Sequence, residues 1–176
     1  MTPEERAAFH WSGEAICYFL YGWKINHIKL TDGIDVSQPQ DFDLLDLIHA
    51  RVVSLCAGPA AEQQHAQEPK VIATAAFEKD AQALFAAIYQ ISRDQSTWVD
   101  IAEKSKDAAR SIIKKHWAIL QTLAEALLEH KELSGEIVTQ ILSAGVRREV
   151  SGETAVLKQR KGKDIILQRG VDYEYL

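Results

Sequence analysis

The chain has 176 residues, enough for one globular domain or for one domain with a short extension. It is 47% hydrophobic and 26% charged with a formal net charge of −5, an ordinary globular composition that gives no indication of nucleic-acid or anionic-membrane binding. No signal peptide and no apolar stretch of the roughly 18 residues of a membrane span is recognisable. We therefore expect a cytoplasmic protein with no membrane or nucleic acid as partner, and buried free thiols at Cys17 and Cys56.

The N-terminal third is predicted to contain a helix and a strand. Thr2 is the expected N-cap of the helix, Glu5 stands at the capping-box position, and Gly22 marks the helix end. The alternating apolar and polar residues 23–30 predict a strand with one covered face. Residues 31–43, rich in Asp, Gly and Pro, predict a loop.

Helices are predicted after this loop at approximately residues 42–57, 75–92 and 135–142, with a long helical region at 98–132. Residues 60–70 are predicted to form a short helical piece and a loop. Gly58 and Pro59 are expected to break or kink the helix at 42–57. Ser134 is the expected N-cap of the helix at 135–142. The early strand needs a partner, and residues 70–76 or the C-terminal tail are the candidates.

The C-terminal residues differ in character from the rest. Residues 155–169 form two β-prone runs around a Gly-containing turn, which predicts a β-hairpin. The predicted fold class is therefore mainly α, with a small β element and this hairpin. We expect a helical domain over residues 1–145 and an extension over 146–176. The basic run 157–163 raises the separate hypothesis that this extension contacts nucleic acid, which the acidic net charge of the chain disfavours.

Five separated segments occur in the order found in one known family. They read "FHWSGEAICYFL" (9–20), "GWKINHIKL" (22–30), "VVSLCAGPAAEQ" (52–63), "FEKDAQALFAAIYQI" (77–91) and "LAEALLEHKELSGEIVTQIL" (123–142). Together they resemble the peptidase domain of FtsH-type ATP-dependent zinc metalloproteases. The resemblance implies that family's helical peptidase fold over about residues 6–142. The chain shows no Gly-rich phosphate-binding loop, so an ATPase module is not expected.

In that family, two histidines four residues apart and an aspartate bind zinc, and a glutamate after the first histidine takes a proton from the zinc-bound water. The resemblance places His10 at the first histidine, Gly13 before the second, and Asp80 at the aspartate. Trp11 stands in place of the catalytic glutamate and Glu14 in place of the second histidine. Because an indole has one N–H donor and no acceptor, Trp11 cannot act as the base.

Two functional interpretations follow from these substitutions. In the first, the domain is a catalytically impaired binding or assembly module without a metal, and its former pocket is lined by Trp11, Gly13 and Cys17. Its partner would be a protein or peptide, and that partner could be a second copy of the same chain in a homo-oligomer. The simplest chemistry at His10 and Glu14 is then an ordinary ion pair one helical turn apart.

In the second interpretation, the domain is a metal-dependent peptidase or other hydrolase with an altered site. His10, Glu14 and Asp80 would hold one divalent metal, either zinc or a harder ion such as manganese, because carboxylate oxygens favour harder ions. A variant of this arrangement makes Glu14 the catalytic base. Cys17, at i+7 from His10 on the same helix face, then supplies the missing ligand.

Overall fold

The computed structural model describes residues 1–40, 44–67 and 75–150, with only the backbone of residues 75–80 and 146–150. Within these residues the protein has six α-helices and one three-stranded antiparallel sheet, which confirms the predicted mainly α class with a small β element. The predicted hairpin at 155–169 lies outside the described residues, as does most of the candidate strand 70–76.

Helix α1 (Pro3–Leu20) is the central helix of the domain. The hydroxyl of Thr2 accepts a hydrogen bond from the Glu5 backbone at 3.1 Å, and the Glu5 carboxylate accepts one from the Thr2 backbone at 2.6 Å. The predicted capping box is therefore confirmed. Every residue from Ala8 to Tyr18 is buried, so α1 is covered on all sides rather than along one stripe.

Strands β1 (Lys24–Lys29), β2 (Gly33–Ser37) and β3 (Glu132–Ser134) form the sheet in the order β2-β1-β3. The loop predicted over residues 31–43 is partly wrong, because β2 lies within it. Gly33 has a φ of +103°, which a glycine adopts readily at the turn into β2. The partners of β1 in the described structure are β2 and β3, not residues 70–76.

The predicted alternation along β1 is also broken. The register shifts between Ile25 and His27, and Ile25 and Ile28 are both buried although they are three positions apart. Such a bulge places two residues opposite one and turns the strand, so that side chains three apart share a face.

Helix α2 (Leu44–Ala66) does not end at Gly58 and Pro59, contrary to the sequence prediction. A proline inside a helix costs about 3 kcal/mol, and burial of α2 against α1 offsets that cost. By length and composition alone α2 could cross a membrane, but 72% of its most apolar window is buried inside the protein. Its apolar character is therefore explained by its position in the core.

Helix α3 (Ala75–Ile91) agrees with the helix predicted at 75–92. A short 3-10 turn, Gln95–Thr97, follows it. The long helical region predicted at 98–132 is confirmed as helical but consists of two helices, α4 (Trp98–Lys115) and α5 (Trp117–His130). They meet at His116, whose φ of −106° and ψ of 24° are not helical. The break lets α4 pack against α2 and α5 against α1, which one straight helix could not do. Ser134 then caps α6 (Gly135–Val150), which extends beyond the predicted end at Leu142 and past residue 145.

Candidate functional site

Helices α1 and α2 cross at very close range where two glycines lie. A Cβ atom on Gly13 would come within 2.6 Å of the Ala57 carbonyl oxygen and 2.8 Å of the Ala61 side chain. A Cβ atom on Gly58 would come within 2.6 Å of His10 Nε2. Gly13 therefore brings the helix backbones together, and Gly58 leaves the space that the imidazole of His10 fills.

His10 is buried, with 1% of its surface exposed, and it contacts a carboxylate that the sequence analysis did not select. Its Nδ1 lies 2.6 Å from Oε1 of Glu62, on α2. The other oxygen of Glu62 accepts a hydrogen bond from the Arg6 guanidinium at 3.2 Å. Glu62 stands in the segment 52–63 that carries the family resemblance, which was the signal that could have identified it.

Glu14 lies on the opposite side of the same imidazole. Its Oε1 is 3.4 Å from His10 Nε2, longer than the usual 2.7–3.2 Å of an N–H···O hydrogen bond. The imidazole of His10 is thus placed between the carboxylates of Glu14 and Glu62. When Nδ1 donates its proton to Glu62, a neutral ring presents the lone pair of Nε2 to the Glu14 carboxyl group. A proton on Nε2, a proton on Glu14 or a bound cation would each make that contact favourable.

The spacing of His10 and Glu14 fits a metal. A tetrahedral zinc bound about 2.1 Å from a nitrogen and an oxygen separates those two atoms by roughly 3.4 Å. The structure therefore brings together two of the three predicted ligands. Asp80 lies in α3, but its side chain is outside the described residues. Among the described side chains, no group of three His, Cys, Asp or Glu could hold a metal ion.

The indole of Trp11 lies between helix α1 and the sheet. Its Nε1 donates a hydrogen bond to the Leu30 carbonyl oxygen at 3.3 Å, and its ring lies against Gly33. It also meets the imidazole of His10 edge-on, with ring centroids 4.6 Å apart. Trp11 therefore joins α1 to the sheet, and its single N–H is engaged there.

Cys17 and Cys56 are buried free thiols, which confirms the prediction. Burial, with a smaller contribution from the charge of Glu14, raises the pKa of Cys17 far above its ordinary value. Burial also raises the pKa of Cys56 to about 12. Both thiols are therefore protonated at neutral pH, and in that state neither is a good nucleophile or metal ligand.

No protein-family model and no curated protein matches the chain. The resemblance to the metalloprotease domain therefore stays a prediction.

Proposed function

We propose that the chain is a divergent FtsH-type peptidase-like domain that has lost proteolytic activity and binds or assembles with protein or peptide partners. The observation that carries this proposal is the position of Trp11. The residue after His10 has no proton acceptor, and its side chain is engaged at the sheet. Loss of a general base typically costs a factor of about 100 to 10,000 in rate.

The packing of α1 on α2 supports the family part of the proposal. Residues 9–20 resemble the metal-binding helix of that family, and residues 52–63 resemble a later segment of its peptidase domain. These two segments are in direct contact. The contacts run through the Gly13–Ala57 approach and the pairing of His10 with Glu62. Separate segments that resemble one family in order are thus also neighbours in space.

Exposed apolar side chains support a binding role. On the described surface, Val99 is 72% exposed, Phe85 58% and Tyr89 50%. Phe85 and Tyr89 lie one turn apart on α3, and Val99 is at the start of α4. Phe85 and Val99 line one cleft, and Tyr89 packs against Trp98 of the same cleft. Exposed apolar side chains that lie together are typical of protein contact surfaces.

Casein, a largely unfolded polypeptide, tests both halves of this proposal. The protein is incubated with casein, with and without a chelator, and the products are separated by gel electrophoresis and size-exclusion chromatography. We expect co-elution without cleavage, and weaker co-elution for Phe85→Ser/Val99→Ser. Chelator-sensitive cleavage would contradict the loss of proteolysis, and absence of co-elution would contradict the binding role.

A metal-dependent hydrolase is the second candidate, and the 3.4 Å separation of His10 Nε2 and Glu14 Oε1 favours it. Glu62 at Nδ1 also fits, since metal-binding histidines usually donate their second N–H to a carboxylate. His10 and Glu14 would hold the ion, with Asp80 as the third predicted ligand. A metal in such a site supplies Lewis acidity and an activated water.

Metal content measured by plasma mass spectrometry decides between the two candidates. The protein is purified without a tag or chelator, beside His10→Ala and the control His130→Ala, whose side chain is 58% exposed. One equivalent of metal that only His10→Ala loses would favour the hydrolase. No bound metal in any of the three proteins would favour the binding module.

A further inference from the structure

A cleft of about 810 Å³ lies between α2, α3 and α4, away from His10. Its walls are largely apolar and include Leu55, Leu84, Ile88 and Trp98. Helix α2 turns Gly58 and Glu62 toward α1, whereas Cys56 and Pro59 line the cleft. The volume falls within the roughly 300–1,000 Å³ of small-molecule sites.

The charged groups of the cleft wall lie on α4. Lys106 and Arg110, one helical turn apart, both line the cleft, and Glu103 is the one acidic residue among its described lining. Lys106 pairs with Glu103 at 2.7 Å and Arg110 with Asp107 at 3.0 Å. These pairs are exposed and contribute little, so either cation can exchange its partner for a ligand anion.

The charges of Lys106 and Arg110 on α4 also affect Cys56, which lines the cleft from α2. Burial raises the pKa of the Cys56 thiol to about 12, and the charges of Lys106 and Arg110 act in the opposite direction, ahead of the effect of Glu103. Asp107, the partner of Arg110, is not among the described residues that line the cleft. Within that lining Lys106 and Arg110 face one acid, Glu103, and both cations act on the Cys56 thiol across the cleft.

We infer that this cleft binds a single-chain amphipathic carboxylate, such as a medium-chain fatty acid. The alkyl chain lies among Leu55, Leu84 and Ile88, and the carboxylate lies between Lys106 and Arg110. The cleft lies on the side of α2 away from His10, but Phe85 and Val99 of the proposed partner surface also line it. The inference requires neither a metal at His10 nor binding of casein.

Calorimetric titration of the full chain with octanoate, decanoate and dodecanoate, below their micelle-forming concentrations, tests the inference. We expect one bound molecule, with affinity rising about fourfold for each added methylene. Ala102→Trp places an indole in the cleft and should abolish binding, with circular dichroism and thermal unfolding as checks of the fold. No binding by the wild-type protein would overturn the inference.

The two cations are tested with a matched pair of ligands and variants. Lys106→Gln/Arg110→Gln should weaken dodecanoate binding about fivefold and leave dodecanol binding unchanged, since exposed charge pairs contribute modestly. Lys104→Gln/Lys114→Gln, on the same helix but outside the cleft lining, should change neither. Equal losses for both ligands would overturn the inference, as would a folded Ala102→Trp variant that keeps dodecanoate binding.

Discussion

The Nδ1 atom of His10 lies 2.6 Å from Oε1 of Glu62, a residue 52 positions away on the neighbouring helix. Arg6 contacts the second oxygen of the same carboxylate, and Glu14 faces the other side of the imidazole. Four ionisable side chains on two packed helices thus form one connected group. Three of them are almost fully buried, so the α1–α2 interface depends on this group remaining paired, as does any chemistry there.

Glu62→Gln should destabilise the protein substantially. The substitution keeps the shape of the side chain but removes the negative charge that faces both His10 and Arg6, and breaking a buried pair costs about 3 kcal/mol or more. The free energy of unfolding is measured by urea denaturation. The control is Glu132→Gln, which removes an exposed pair with Lys29 at 3.4 Å and should cost under about 0.5 kcal/mol. Similar small losses for both variants would contradict the buried network.

Gly58→Ala should also destabilise the protein, by about 1–3 kcal/mol, because the new methyl group would collide with His10 Nε2. At an uncrowded helix position the same change stabilises by about 1 kcal/mol. In a His10→Ala background the collision is absent, so Gly58→Ala should there be stabilising. Urea denaturation of the four proteins of this double-mutant cycle gives the coupling. Destabilisation by Gly58→Ala in both backgrounds would show that the imidazole does not fill this space.

Trp11 should prove structural rather than catalytic. Trp11→Phe keeps an aromatic ring and loses the hydrogen bond to the Leu30 carbonyl, so we expect a loss of about 1 kcal/mol beyond the effect of the smaller ring. Trp11→Glu places a carboxylate where the side chain is 7% exposed and should cost considerably more. It should not create chelator-sensitive cleavage of casein. Cleavage by Trp11→Glu alone would show that the site lacks only its base.

The buried thiols should make the protein less stable in alkali. Above the ordinary thiol pKa of 9.0, an unfolded chain loses these protons while the folded protein keeps that of Cys56 up to about pH 12. The unfolded state therefore binds fewer protons, and the free energy of unfolding falls with rising pH by up to about 1.4 kcal/mol per pH unit for each thiol. Below pH 9 this contribution is fully retained.

Urea denaturation between pH 8 and 10.5 measures this slope. The Cys17→Ala/Cys56→Ala variant loses some packing at every pH, but its free energy of unfolding should fall less steeply than that of the wild-type protein. The difference in slope, not in absolute stability, is the result that matters. Parallel curves for the two proteins would show that the thiols do not keep raised pKa values in the folded state.

Features that depend on neighbouring residues in the chain could be predicted from the sequence. The capping box of Thr2 and Glu5, the extent of α3 and the cap at Ser134 all agree with the structure. Each rests on contacts within one helical turn, so a short stretch of sequence contains both partners. The i,i+4 relation of His10 and Glu14 belongs to the same class.

Other features were decided only when distant segments packed together. Helix α2 continues through Gly58 and Pro59 because α1 covers it, and the strand β2 forms within a predicted loop because β1 offers hydrogen bonds. The break at His116 lets two halves of an apolar stripe cover different neighbours. The contact of Glu62 with His10 likewise needs both helices in place. Sequence thus determined the local caps and most of the helices. Tertiary packing determined that α2 continues through Pro59 and that the buried side chains of His10 and Glu62 come into contact, because both outcomes depend on residues far apart in the chain.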